Sequence, residues 1–146
     1  MGMTGTMQLS GLADVRRIEL PRHARDDGEV VVAEPATGVP FAIARLFVLR
    51  APDGTARGHH AHKLCSQFMI CSNGAVDIVL DDGDAQQIFT LDHSNQALLV
   101  PPMIWNTVVF RAPQTVVSVL CDRPYEADDY VRDHHDFLRL RKGAVF

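Results

Sequence analysis

The chain has 146 residues, one domain's worth and enough to bury a core, and its 47% hydrophobic and 22% charged residues are ordinary for a globular protein. The formal net charge is −4 and the 14 basic residues are scattered, which argues against a duplex nucleic acid partner but leaves arginines to grip a small anion such as a diphosphate. No stretch approaches the roughly 18 uninterrupted apolar residues of a membrane helix.

The N-terminus lacks the charged start and apolar run of a signal peptide, and Cys65, Cys71 and Cys121 form no CxxC unit. An odd count argues against a disulfide framework, so the cysteines read as small buried residues in a reducing cytoplasm. Residues 1–10 are small and polar and are expected to be disordered, leaving 11–146 as a single domain.

Beyond residue 10 the chain breaks into short apolar runs separated by turn chemistry, the pattern of an all-β sandwich or barrel. Val30–Ala33 and Ala42–Leu49 come first, then Gln67–Ser72, Val76–Leu80 and Gln86–Leu91. Ala97–Val100, Thr107–Phe110 and Thr115–Cys121 complete the set. Pro52-Asp53-Gly54, Asn73-Gly74, Asp81-Asp82-Gly83-Asp84 and Arg111-Ala112-Pro113 supply the fixed or positive φ that turns require. The acidic Asp81–Asp84 stretch lacks the remaining ligands of a calcium loop and reads as a hairpin turn. From Asp128 to Arg141 there is no Pro or Gly, and the pairs Tyr130/Phe137 and Val131/Leu138 share one helical spacing. This predicts a terminal amphipathic helix over 128–141, with His134 and His135 as surface or hydrogen-bonded residues.

Arg57-Gly58-His59-His60-Ala61-His62-Lys63 carries the chemistry. In an extended segment, alternation places His60 and His62 on one face and His59 on the other. Imidazoles facing a barrel interior must be hydrogen-bonded, bind a metal or move protons. Metal-binding cupins follow their HxH with a Glu, then a Gly, and carry a further His on a later strand. Here the Glu position holds Gln67, the glycine is Gly74, and the later region reads Pro101-Pro102-Met103-Ile104-Trp105-Asn106 without histidine. Neutral amides are poor ligands for a transition metal, so no metal or other cofactor is expected. Paired imidazoles without a metal suit proton transfer beside a carbonyl, as in isomerisation or epimerisation through an enediol.

Four other side chains are candidates for the site. Arg45 lies in a barrel strand and Arg57 leads into the histidine block; each needs an anion, either a protein carboxylate or a ligand phosphate. Gln67 either hydrogen-bonds a ligand or orients a histidine. Trp105, the one tryptophan, either lines a pocket or packs in the core.

From about Gly28 to Leu140 the sequence resembles the sugar-nucleotide 3,4-ketoisomerases, cupin enzymes that act on thymidine-diphosphate 4-keto-6-deoxyglucose in deoxysugar biosynthesis. The resemblance rests on Pro40-Phe41 with Arg45, the Arg57–Lys63 block with Gln67, Pro101–Trp105, and a closing Tyr125, Asp128-Asp129-Tyr130-Val131 and Phe137. It implies a cupin-type antiparallel β-barrel (jelly roll) with a C-terminal α-helix, and a homodimer working without metal. It further implies His60 and His62 as catalytic residues, with Arg45 and Arg57 contacting the diphosphate or sugar; Gln67 and Trp105 stand beside them as candidate substrate-binding residues on their own chemistry. The chain departs from the family at Leu46-Phe47-Val48, where a tyrosine is usual and Phe47 offers no hydroxyl. An epimerase on a similar sugar and a non-catalytic sugar-nucleotide-binding cupin are the alternatives.

Overall fold

The computed structural model describes residues 9–143. In chain order the strands are β1 (Arg16–Glu19), β2 (Arg22–Arg25), β3 (Gly28–Val31), β4 (Arg45–Arg50), β5 (Ala56–His62) and β6 (Gln67–Asn73). Then come β7 (Val76–Asp81), β8 (Gln86–Leu91), β9 (Gln96–Val100), β10 (Trp105–Phe110), β11 (Val116–Cys121) and β12 (Tyr130–Val131), before helix α1 (His134–Arg141). Of the expected 1–10 segment, only Leu9 and Ser10 fall within the described residues; Leu9 is exposed and the Ser10 carbonyl accepts from Arg141 Nη1.

One five-stranded antiparallel sheet runs β1-β9-β6-β11-β4 and a second runs β12-β5-β10-β7-β8, with β2 and β3 forming a separate hairpin. The two sheets enclose a core, so the expected cupin-type barrel takes its jelly-roll form of facing sheets rather than a continuous closed ring. Alternation along each strand builds this core. Met69 and Cys71 of β6, Ile78 and Leu80 of β7, and Val117 and Val119 of β11 meet between the sheets. Their neighbours Phe68 and Ile70 point the other way, where Leu20, Val39 and Ala97 cover them.

The apolar runs became strands close to their predicted limits, but β1 and β2 had no such signal. Their sequences, Arg-Arg-Ile-Glu and Arg-His-Ala-Arg, are largely exposed, and β1 is held as an edge strand by pairing with β9. The Asn73-Gly74 turn between β6 and β7 is sterically strict: φ at Gly74 is +80° and an added Cβ would lie 2.1 Å from Thr115 Oγ1.

The predicted helix over 128–141 is corrected to His134–Arg141. Tyr130 and Val131 instead pair with His62 and Ala61 as β12, because the β5 edge offers backbone partners that an isolated helical turn there would forgo. Helix α1 starts where Asp133 caps it, its side chain accepting from the Asp136 N–H at 3.1 Å. Phe137 and Leu140 then pack on Ala61, Met103 and Val131, closing the outer side of the second sheet.

Candidate active site

The histidine block is shaped by a bulge. His60 sits opposite Asn106 and Gly58 opposite Thr107, so β5 carries one residue, His59, with no counterpart on β10. His59 takes φ 58° and Gly58 φ 97°. A Cβ on Gly58 would lie 2.9 Å from Asn106 Oδ1 and 3.0 Å from its carbonyl oxygen, so glycine alone fits. Beyond the bulge, alternation resumes. Ala61 packs outward under α1, and His60 and His62 share the inner face with ring centroids 5.1 Å apart at 89°. His59 is exposed, as expected.

His62 is 3% exposed, and its Nδ1 lies 2.7 Å from Asp129 Oδ2. The other oxygen of Asp129 accepts the Leu64 N–H at 2.7 Å. Burial alone would raise the Asp129 carboxyl, but the hydrogen bonds from His62 and from the Leu64 and Cys65 amides win, and it is held below the usual carboxylate range. An ionised carboxylate only accepts, so His62 Nδ1 carries the proton. Its Nε2 is buried without a hydrogen-bond partner. His60 Nδ1 faces the Gly58 carbonyl at 3.1 Å. Burial first, and then the neighbouring His62, push the His60 imidazole down to about 4, leaving it neutral at pH 7.

Tyr130 completes the cluster. Its ring centroid lies 4.4 Å from that of His62 and 5.2 Å from that of His60. Burial pushes its phenol up, while the hydrogen-bonded Arg45 pulls the other way. Arg45, Cys121 and Gln67 form one row across β4, β11 and β6. Arg45 Nη2 lies 3.5 Å from Cys121 Sγ. Hydrogen bonds from Cys65, Arg45 and Gln67 lower the Cys121 thiol, while the same contact and burial raise Cys65. All three cysteines are free and buried.

A cavity of about 160 Å³ opens against this cluster. Its polar wall comprises Arg57, His60, Gln67, Asn106 and Arg132; its apolar wall comprises Phe47, Leu49, Met69, Val108 and Val119. Gln67 is 2% exposed and its Oε1 has no partner, so an acceptor stands ready at the wall. His62 stands behind His60 rather than on the wall. Arg45 lies outside the lining and braces it through Cys121 and Tyr130.

Trp105 also lies outside the lining, and unlike His62 and Arg45 it makes no contact with the cluster behind it. It packs from β10 against His134 and Phe137, with centroids at 5.0 and 5.6 Å. Residue parity explains the placement, since Asn106 and Val108 on the same strand are the ones that face inward. His134, on the helix, is held at 3.0 Å by Asp81.

Asp129, Tyr130 and Arg132 were missed as site residues. The only signal for them was the Asp-Asp-Tyr-Val tail, which the helical reading absorbed. Among the described residues, His62, Cys65 and Asp129 bring possible ligand atoms within 4.8 Å of one another. Within that trio the imidazole and carboxylate are already bound to each other.

Fold and site together define a cupin whose cavity is walled by imidazole, guanidinium and amide groups. The family model described as FdtA: WxcM-like, C-terminal matches residues 13–142, and the chain belongs to that family. It is 34% identical over 113 residues to the TDP-4-oxo-6-deoxy-alpha-D-glucose-3,4-oxoisomerase of Aneurinibacillus thermoaerophilus, covering 77% of this chain and 81% of that protein. Among solved structures, it resembles QdtA, a sugar 3,4-ketoisomerase from Thermoanaerobacterium thermosaccharolyticum, in complex with TDP. That match has TM-score 0.85 and 28% identity, covering 90% of this chain and 97% of that one. A 3,4-ketoisomerase from Helicobacter canadensis matches with TM-score 0.82 and 27% identity, covering 88% and 98% respectively.

Proposed function

We propose that the chain is a 3,4-ketoisomerase that moves the keto group of a TDP-linked 4-keto-6-deoxyhexose from C4 to C3. The carrying observation is the imidazole pair His60 and His62 on one inner face, one at the cavity wall and the other fixed by Asp129. A histidine takes the C3 proton, and the C–H electrons form the C3–C4 double bond as the C4 carbonyl becomes an enediolate oxygen. A proton then returns to C4 while the C3 hydroxyl loses its own and becomes the new carbonyl. His60 suits the first step because it is neutral at pH 7 and faces the cavity. Gln67 Oε1 accepts from a sugar hydroxyl, and Arg57, exposed at the cavity rim, binds the diphosphate.

The same reading has the protein working without metal in the cytoplasm, as a homodimer. Support for a dimer comes from β4, an edge strand whose outward Leu46 and Val48 are 59% and 52% exposed. Leu46 lines a cleft of about 500 Å³ together with Ile70 and Leu120. A second copy covering this face would remove both the apolar surface and the open strand edge.

The deciding experiment is incubation with the TDP-linked 4-keto-6-deoxyglucose in heavy water, followed by NMR. Deuterium at C4 of a 3-keto product supports the ketoisomerase, and a retained 4-keto group with inverted C3 supports the epimerase. Binding without any exchange leaves only a binding protein. Chelator treatment is expected to leave the rate intact.

A further inference from the structure

Arg132 follows β12 directly and lines the same cavity as His60 and Gln67. Its guanidinium carbon lies 4.3 Å above the Tyr130 ring, within cation–π range, and that ring packs on both imidazoles. Arg22, Arg111, Arg123 and Arg139 are each paired with a carboxylate. Among the described residues, none pairs with Arg132. The guanidinium thus rests on an aromatic face at the solvent-exposed side of the cavity, with no carboxylate beside it. Phe47, which lines the same cavity, has no group to donate.

We propose that Arg132 donates to the enediolate oxygen as it forms, an assignment that rests on the ketoisomerase reading. When the C3–H electrons move into the C3–C4 bond, the C4 oxygen gains the negative charge. A guanidinium already resting over the Tyr130 ring beside it would offset that charge with little reorganisation. The same cation keeps the base uncharged beforehand at some cost in basicity, so its benefit lies in the anion it favours afterwards. The ionisable groups acting on His60 are His62 and His59 on its own strand and Arg132 beyond β12. Asn106, opposite on β10, and the Tyr130 phenol are its uncharged polar neighbours. Arg57 lies on the rim of the same cavity, suited to a diphosphate, whose charge is equal in ground and transition states.

The test compares Arg132→Met and Arg132→Lys with wild type, using TDP-4-keto-6-deoxyglucose as substrate and TDP alone as a binding probe. Arg132→Met is expected to lower kcat and the C3 deuterium exchange rate roughly 100-fold, the usual loss of one oxyanion donor. KM and TDP affinity should stay within about twofold, since uniform binding is untouched. Arg132→Lys should recover part of kcat. The acid limb of the Arg132→Met pH–rate profile should move to higher pH as His60 becomes easier to protonate. Unchanged melting temperature and TDP binding will show that the variants are folded. A raised KM and weakened TDP binding at unchanged kcat would make Arg132 a diphosphate ligand and overturn the assignment, as would wild-type rates in Arg132→Met. Absence of deuterium exchange in the wild-type protein would overturn the reaction itself, and the role of Arg132 with it.

Discussion

Asp129 and His62, 67 positions apart in the chain, are joined by a 2.7 Å hydrogen bond at a depth where both are nearly inaccessible to water. The bond fixes the ring: Nδ1 carries the proton towards the carboxylate, and Nε2 is the nitrogen left without a partner. It exists because β12 zips onto the end of β5 and delivers Asp129, the residue before it, behind the imidazole.

Replacing Asp129 with Asn keeps the size and the acceptor for Leu64 but loses the charge that fixes the tautomer. Turnover is expected to fall on the order of 100-fold or more, with substrate affinity little changed. Steady-state kinetics on the folded variant check this; a wild-type kcat would mean that the carboxylate only supports the fold.

His60→Asn and His62→Asn each remove a titratable nitrogen while keeping approximate size. Each is expected to lose roughly 100-fold or more in deuterium exchange at C3 or C4, with ligand binding near normal. Arg57→Met should instead raise KM, because its contact is made equally before and during the reaction. If both histidine variants exchange at wild-type rates, the base lies elsewhere.

Stability should depend on pH through His60. Its folded value of about 4 lies below the ordinary imidazole value of 6.5, so between the two the unfolded chain binds a proton that the folded chain refuses. Stability is therefore full above about 6.5 and falls as pH drops towards 4, by on the order of 3 kcal/mol for this one group. Melting temperatures across that range should decline less steeply for His60→Asn than for wild type. Parallel declines would remove His60 as the source.

Gly74→Ala combines a left-handed φ with a Cβ 2.1 Å from Thr115 Oγ1 and 2.9 Å from Thr115 Cα. Backbone as well as side chain must move, and a loss of about 2–4 kcal/mol is expected in denaturant unfolding. Gly54→Ala, also at positive φ but with nothing within 4 Å of its Cβ, should cost less. Equal losses would show that strain in φ, not crowding, dominates at Gly74.

Light scattering at micromolar concentration should find a dimer, and Leu46→Glu with Val48→Glu should yield monomers that remain folded. A wild-type monomer would exclude the β4 face as a self-association surface.

The two-residue period of the apolar runs was legible in the sequence, because burial on one face of a strand leaves its mark locally. So were the turns, where glycine meets a need for positive φ, and the shared face of His60 and His62. The His59 bulge was not legible, since it depends on the register between β5 and β10. Yet by letting alternation resume beyond it, the bulge leaves His60 and His62 facing inward together, as strand parity alone had suggested. The tail was misread for a related reason. Tyr130 and Val131 fit a helical spacing as well as a strand, and only the free edge of β5, far away in sequence, decides between them. That choice brought Asp129, Tyr130 and Arg132 to the histidines and, with the parity of β10, left Trp105 outside. Local chemistry chose the residues able to move a proton, whereas pairing between distant strands decided which of them meet, because hydrogen bonds between strands carry no local sequence code.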